Sequence, residues 1–142
     1  MDKTELEHHN RRVTDEFRRG GGVVGGMYEG MSLLLLHTVG ARTGQRRVNP
    51  LVCQKLDGGS YAVFAANGGA PVAPDWYHNL LDSPQVEIEV GTVEIPVTAR
   101  VVTGEERAAI WDRQTELLPH FAELAATAGR QVPVVVLDER TT

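Results

Sequence analysis

Six short runs rich in Val, Leu and Ile limit what this chain can fold into: 33–38, 47–55, 61–66, 86–90, 93–101 and 132–137, separated by Gly, Asp, Asn or Pro. Runs of that length and composition are β-strands. The first three are joined by links too short for a helical crossover, so they pair antiparallel. The stretch EIEVGTVEI is a hairpin signal, with Gly91-Thr92 at the turn and Glu87, Glu89 and Glu94 on the wet face. LDGGS at 56–60 is a second hairpin signal, between the second and third strands. The fold class that follows is mainly β with helical additions, a small barrel rather than a Rossmann sheet.

Helices flank and interrupt the strands. Residues 4–19 read as a polar helix opened by the capping-box spacing of Thr4 and Glu7 and ended by the glycines at 20–22. Its apolar stripe, Leu6, Val13 and Phe17, is thin, which predicts a loosely attached arm; docking on a membrane surface or a partner is the alternative. Residues 74–81 begin with Pro-Asp and place Trp76, Asn79 and Leu80 on one face. Thr103 and Glu106 form a second capping-box spacing, opening a helix over 105–118, and Pro119 breaks the path into a last helical piece at 121–128. The expected division is an N-terminal helix and Gly-rich arm over 1–30 and a barrel over 31–142.

Composition narrows the function classes. With 142 residues, 42% of them hydrophobic, the chain can bury one core. The single Cys53 reads as a buried small apolar residue, and the opening residues lack the succession of a secretory signal, so a reducing cytoplasmic location is expected. Peripheral contact at the inner membrane face is an option for the N-terminal helix. The longest apolar run, 33–36, excludes a spanning helix. His8, His9, His37, His78 and Cys53 lack metal-ligand spacing, so no metal site is expected. No nucleophile signature is present, and the catalytic residues stay unassigned.

Charge is local. The chain carries a net charge of -5, yet no acid lies between Gly30 and Leu56, where Arg42, Arg46, Arg47 and Lys55 fall; from Leu56 to Ala99 there is no Lys or Arg. A nucleic-acid binder has a wider basic face, so the pattern suits a small anionic ligand. The basic segment GARTGQRR lies between two strands. Its glycines allow a tight turn, its N–H groups could form an anion nest, and Arg42 or Arg47 could grip a phosphate bidentately. By composition alone such a basic hairpin turn is more often an ordinary solvated turn. The run Ala65, Ala66, Asn67, Gly68, Gly69, Ala70 suits close approach by a flat ligand, or a flexible surface loop. Trp76, Tyr77 and Asn79 could pack against such a ligand, or Trp76 could anchor the core.

LLLLHTVGARTGQRRVNPL, AANGGAPVAPDWYHNLL and the late PVVVL together resemble the deazaflavin (F420)-dependent nitroreductase and F420H2-dependent quinone reductase family of actinobacteria, split β-barrel, FMN-binding-like proteins. The resemblance spans about Phe17 to Leu137. It implies that Arg42, Thr43, Gly44, Gln45 and Arg47 hold the phosphate end of F420, and that Asn49 and Pro50 shape the strand beside the deazaflavin. Ala65, Ala66, Asn67, Gly68, Gly69 and Ala70 would lie against the ring system, with Trp76, Tyr77 and Asn79 closing the pocket.

The resemblance further implies transfer of a hydride from F420H2 to a quinone, nitroaromatic or other conjugated acceptor, a small molecule, by a monomer or a homodimer. Where some members carry a second basic residue this chain has Ala41, and Ala66-Asn67 replaces a Ser-Lys pair. Tyrosines that shape the acceptor site in the nitroreductases are missing near Leu118, Phe121 and Leu124. An FMN-dependent split-barrel oxidoreductase is one alternative, because FMN needs less positive charge. A non-catalytic flavin or deazaflavin carrier is the other.

Overall fold

The computed structural model of the chain describes residues 2–140. The strands β1 (Leu33–Val39), β2 (Arg46–Lys55), β3 (Tyr61–Phe64), β4 (Gln85–Val90), β5 (Val93–Val102) and β6 (Val134–Glu139) form a closed barrel in the order β1-β2-β3-β6-β5-β4. Every pairing is antiparallel, including the closing one in which Leu36 of β1 meets Ile88 of β4. Around it lie the helices α1 (Lys3–Arg19), α2 (Asp75–Asp82), α3 (Gly104–Leu117) and α4 (His120–Ala128).

The four consecutive leucines of β1 are buried because both faces of the strand are covered. Leu34 and Leu36 point into the barrel with Val63, Trp76, Ile88 and Leu137. Leu33 and Leu35 point outward and are covered by Val13 and Phe17 of α1 and by Val24. β3 and β6 repeat the arrangement: Val63 and Val135 join the interior, while Phe64, Val134 and Val136 pack under Ile110 of α3 and Phe121 of α4. A strand buried on both faces loses its polar alternation.

The strands fall within a few residues of their sequence positions, and both hairpins form. The last strand starts at Val134: Pro133 still accepts the Ala65 N–H at 3.0 Å, but as a proline it has no N–H to return to the ladder. The caps differ from expectation. Asp2 opens α1, its Oδ1 accepting the Glu5 N–H at 2.8 Å, so Thr4 is already inside the helix. Thr103 does precede α3, yet its hydroxyl makes no cap hydrogen bond, and Glu106 instead pairs with Arg100 at 2.9 Å.

α1 is docked rather than loose. Phe17 is fully buried, and Arg18 reaches Glu89 of β4 through Nη2–Oε2 at 2.7 Å and Nε–Oε1 at 3.1 Å. His37 Nε2 lies 2.6 Å from the same Glu89 Oε2. The Arg18 hydrogen bond, assisted by that from His37, holds the Glu89 carboxyl below its ordinary range. Asp138 is likewise held low by Arg100 and Ser60. Carboxyls depressed in the folded chain stabilise it above their unfolded-state pKa of about 4, and that stabilisation is lost as pH falls through the folded value. We expect the melting temperature to drop steeply below about pH 4, and less steeply in Glu89→Gln. Equal slopes in parent and variant would overturn the assignment.

Candidate functional site

The barrel wall opens along β2. This strand pairs with β1 from Arg46 to Val52, but with β3 only at Cys53, Gln54 and Lys55. Extending the register Cys53↔Val63 would set Ala65, Ala66 and Asn67 opposite Leu51, Pro50 and Asn49, and no pairing occurs there. Pro50 has no N–H to offer a second neighbour, which confines it to a strand edge. On the other side Ala65 turns its N–H to Pro133. The segment 46–52 and the loop after β3 therefore part, and they form the two lips of a split.

At one lip is the turn between β1 and β2. The Gly40 N–H donates to Gln45 O and the Gly44 N–H to Gly40 O, both at 2.8 Å. The Gln45 N–H donates to Thr43 Oγ1 at 3.2 Å. A Cβ on Gly40 would sit 2.6 Å from that Oγ1, so the turn closes this tightly only with glycine there. With these donors engaged and the Ala41 N–H held by Asn79, the successive free N–H groups that an anion nest needs shrink to those of Arg42 and Thr43. Positive charge is what remains on offer. Arg42, Arg46 and Arg47 are exposed, and among the described residues none takes part in an ion pair.

Helix α2 braces this turn from below. Its buried face carries Trp76, Asn79 and Leu80, the three residues the sequence places together. Trp76 belongs to the barrel interior. Asn79 is engaged at both ends of its amide: Oδ1 accepts the Ala41 N–H at 3.1 Å and Nδ2 donates to Thr38 Oγ1 at 3.3 Å. Tyr77, half-buried and edge-on to Trp76 at 6.5 Å, packs on the barrel core and lines a small cavity with Leu81, Pro84, Ala99 and Arg100. Replacing Asn79 by Leu should destabilise the chain by about 1–3 kcal/mol, the cost of orphaning buried partners, and should weaken anion binding at the turn. Urea unfolding and a binding titration check the two halves.

The second lip is the loop 65–72. Asn67 adopts a left-handed conformation, φ 50°, with Nδ2 donating to Val72 O at 3.0 Å. The Gly69 N–H donates to Ala66 O and the Ala70 N–H to Asn67 O, each at 3.0 Å. Gly69, at φ 86°, lies against Thr127 and the Leu124 carbonyl of α4, where a Cβ would touch Thr127 at 3.4 Å. Sequence reasoning missed Arg130. Its Nη2 donates to Ala65 O at 3.1 Å, Ala66 O at 3.4 Å and Val72 O at 3.0 Å, and its Nε to Ala70 O at 3.2 Å. The signal in the sequence is slight: Gly129 ends α4 in the left-handed cap conformation, φ 65°, and turns the chain back over this loop.

Other chemistry is not supported. Burial pushes the Cys53 thiol up to about 12, leaving no thiolate nucleophile near neutral pH. Among the described residues no cluster of His, Cys, Asp and Glu could hold a metal, and no helix is long and apolar enough to cross a membrane.

A family model described as F420H(2)-dependent quinone reductase matches residues 9–139. The chain belongs to that family. An F420H(2)-dependent quinone reductase of Mycobacterium tuberculosis is 38% identical over 134 residues, covering 91% of this chain and 89% of the relative. A solved F420-H2 dependent reductase superposes with a TM-score of 0.67 at 36% identity, over 75% of this chain and 93% of its own. A structure described as a domain-swapped dimer does so with a TM-score of 0.69 at 32% identity, over 93% and 95%. The heme storage protein HutZ of Vibrio cholerae, at 19% identity and a TM-score of 0.58, shares the split-barrel fold.

As an F420H2-dependent quinone reductase family member the protein is an oxidoreductase, and its family cofactor is F420H2 rather than FMN. The residues present fit that cofactor. Its anionic phosphate and acidic tail match three exposed arginines without carboxylate partners, and its flat ring matches a split lined by Pro50 and small residues.

Proposed function

We propose that the chain reduces a quinone or related conjugated acceptor with F420H2 bound across the split in the barrel wall. Arg42, Thr43, Gly44, Gln45 and Arg47 would hold the phosphate and acidic tail. Asn49 and Pro50 would border the ring on one side, and Ala65, Ala66, Asn67, Gly68, Gly69 and Ala70 on the other, with Trp76, Tyr77 and Asn79 behind. The observation that carries this reading is the placement of Arg42, Arg46 and Arg47, without ion-pair partners among the described residues, at the turn end of the β2 segment 46–52 that β3 leaves unpaired. The division at about residue 30 goes with it: 1–30 braces the barrel and 31–142 holds the site.

When bound, the reduced deazaflavin supplies the hydride. The chain's share is placement, holding donor and acceptor about 3–3.5 Å apart and excluding water. Within the loop the Gly69 N–H is already used, whereas Ala66, Asn67 and Gly68 make no backbone hydrogen bond through theirs. These N–H groups are free to donate to a carbonyl oxygen of the ring they face. No general acid or base is required of a side chain. Leu118, Phe121 and Leu124 pack into the apolar cluster between the barrel and the helices α3 and α4, and offer no hydroxyl to an acceptor.

The test is a spectrophotometric assay of purified protein with F420H2 and menadione, following the return of oxidised F420 absorbance. Acceleration over a no-protein control, sharply reduced in Arg47→Ala at sub-saturating F420H2, supports the reading. Tight F420H2 binding without turnover on any conjugated acceptor would favour a carrier instead.

A further inference from the structure

Arg130 holds more of the site than any residue the sequence singles out. Its guanidinium reaches four carbonyls of one eight-residue loop, at positions 65, 66, 70 and 72, and among the described residues it has no carboxylate partner. Its charge therefore bears on the loop undiluted. The other arginines bound to backbone hold one carbonyl apiece: Arg107 holds Val132 O at 2.6 Å and Arg140 holds Val86 O at 3.1 Å.

The geometry of the peptide unit sets the consequence. All peptide bonds described are trans, and in a trans peptide the C=O and the following N–H point in opposite directions. With Ala65 O and Ala66 O drawn toward Arg130, the N–H groups of Ala66 and Asn67 are turned away from it. Neither N–H makes a backbone hydrogen bond. A cationic donor on a peptide carbonyl also polarises that unit and strengthens its N–H as a donor.

We propose that Arg130 is the positioning residue of the cofactor-facing loop: it clamps the carbonyls behind Ala66 and Asn67, and so orients and strengthens their N–H groups as donors to the bound deazaflavin. This rests on the reading that the loop lines the ring. Gly129 and the close packing of Gly69 on Thr127 and Leu124 complete the device, because they fix the end of α4 from which Arg130 reaches back. A Lys in its place would keep the charge but could not span four carbonyls, and a Met would keep bulk alone.

The experiment compares Arg130→Lys and Arg130→Met with the parent protein in two measurements. Hydrogen exchange without cofactor should show the hydrogen-bonded loop amides of Gly69 and Ala70 exchanging about tenfold faster or more in the Met variant, with β1 and β6 amides unchanged. F420 titration, followed by fluorescence and by the visible band of bound F420, should show affinity about tenfold weaker in the Met variant, intermediate in the Lys variant, with the band shifted toward free F420. Unchanged loop exchange overturns the proposal. Faster exchange with unaltered affinity and band also overturns it, and locates the fault in the placing of the ring. The Arg47→Ala titration separates that case from failure of the whole reading, since the tail contact would still be lost. If the Met variant does not fold, the Lys variant carries both measurements.

Discussion

Arg47→Ala is expected to bind F420H2 about 10- to 150-fold more weakly than the parent, the loss of one charge-assisted hydrogen-bonding partner worth ~1.5–3 kcal/mol. Its stability should stay within about 0.5 kcal/mol of the parent, because the side chain is exposed and makes no hydrogen bond or ion pair within the fold. Adding Arg42→Ala should weaken binding further. Salt supplies the control: screening reduces attraction between exposed charges, so the parent's affinity should fall with ionic strength more steeply than the double variant's. An affinity and a salt slope equal to the parent's would remove the turn from the cofactor site and leave its arginines as solvated charges.

The turn was legible in the sequence because its signal is local. An acid-free stretch with three arginines between two strands states its charge without help from the fold. What the sequence hides is how the turn is held. The Ala41 N–H meets an amide 38 residues away, and nothing in the spacing of Thr38, Ala41 and Asn79 announces that contact. Arg130 is hidden for the same reason: it closes contacts across 58 to 65 residues, and a lone Arg after a helix-ending Gly looks like any solvated cation. The nest was over-read because a Gly-rich basic turn shows its N–H groups in sequence, but not which of them the turn itself engages.

The strands were legible to within a few residues because β1 to β6 are bounded by Gly, Asp, Asn or Pro. Helix starts were less so. Thr4 and Glu7 meet the capping-box spacing, but Asp2 offers a carboxylate two residues earlier, and the helix begins there. Glu106 meets the spacing too, yet Arg100 on a neighbouring strand competes for its carboxylate. In both places a second partner outbids the pattern, and only the fold reveals the partner.

Phe17→Ala tests the point on which sequence and structure differ most. A thin stripe of Leu6, Val13 and Phe17 suggests a loose arm, for which truncating one side chain would cost no more than about 0.5 kcal/mol. In the structure Phe17 is fully buried and packs with Val13, Val24, Leu33 and Leu35. Removing a buried Phe should therefore cost about 3–5 kcal/mol, and lower the melting temperature by roughly 10–17 °C for a chain of this size. The Arg18–Glu89 pair cannot compensate, because an ion pair with a half-exposed Arg18 contributes only about 0–1 kcal/mol. Binding should respond differently. Leu34 and Leu36, on the inner side of the same strand, still hold β1 in the barrel, and the arginine turn lies beyond its far end. Well below the new transition, F420H2 affinity should change far less than in Arg47→Ala. A large stability loss with near-parental affinity would separate the brace from the site; a loss of both would mean that α1 holds β1, and the turn at its end, in register.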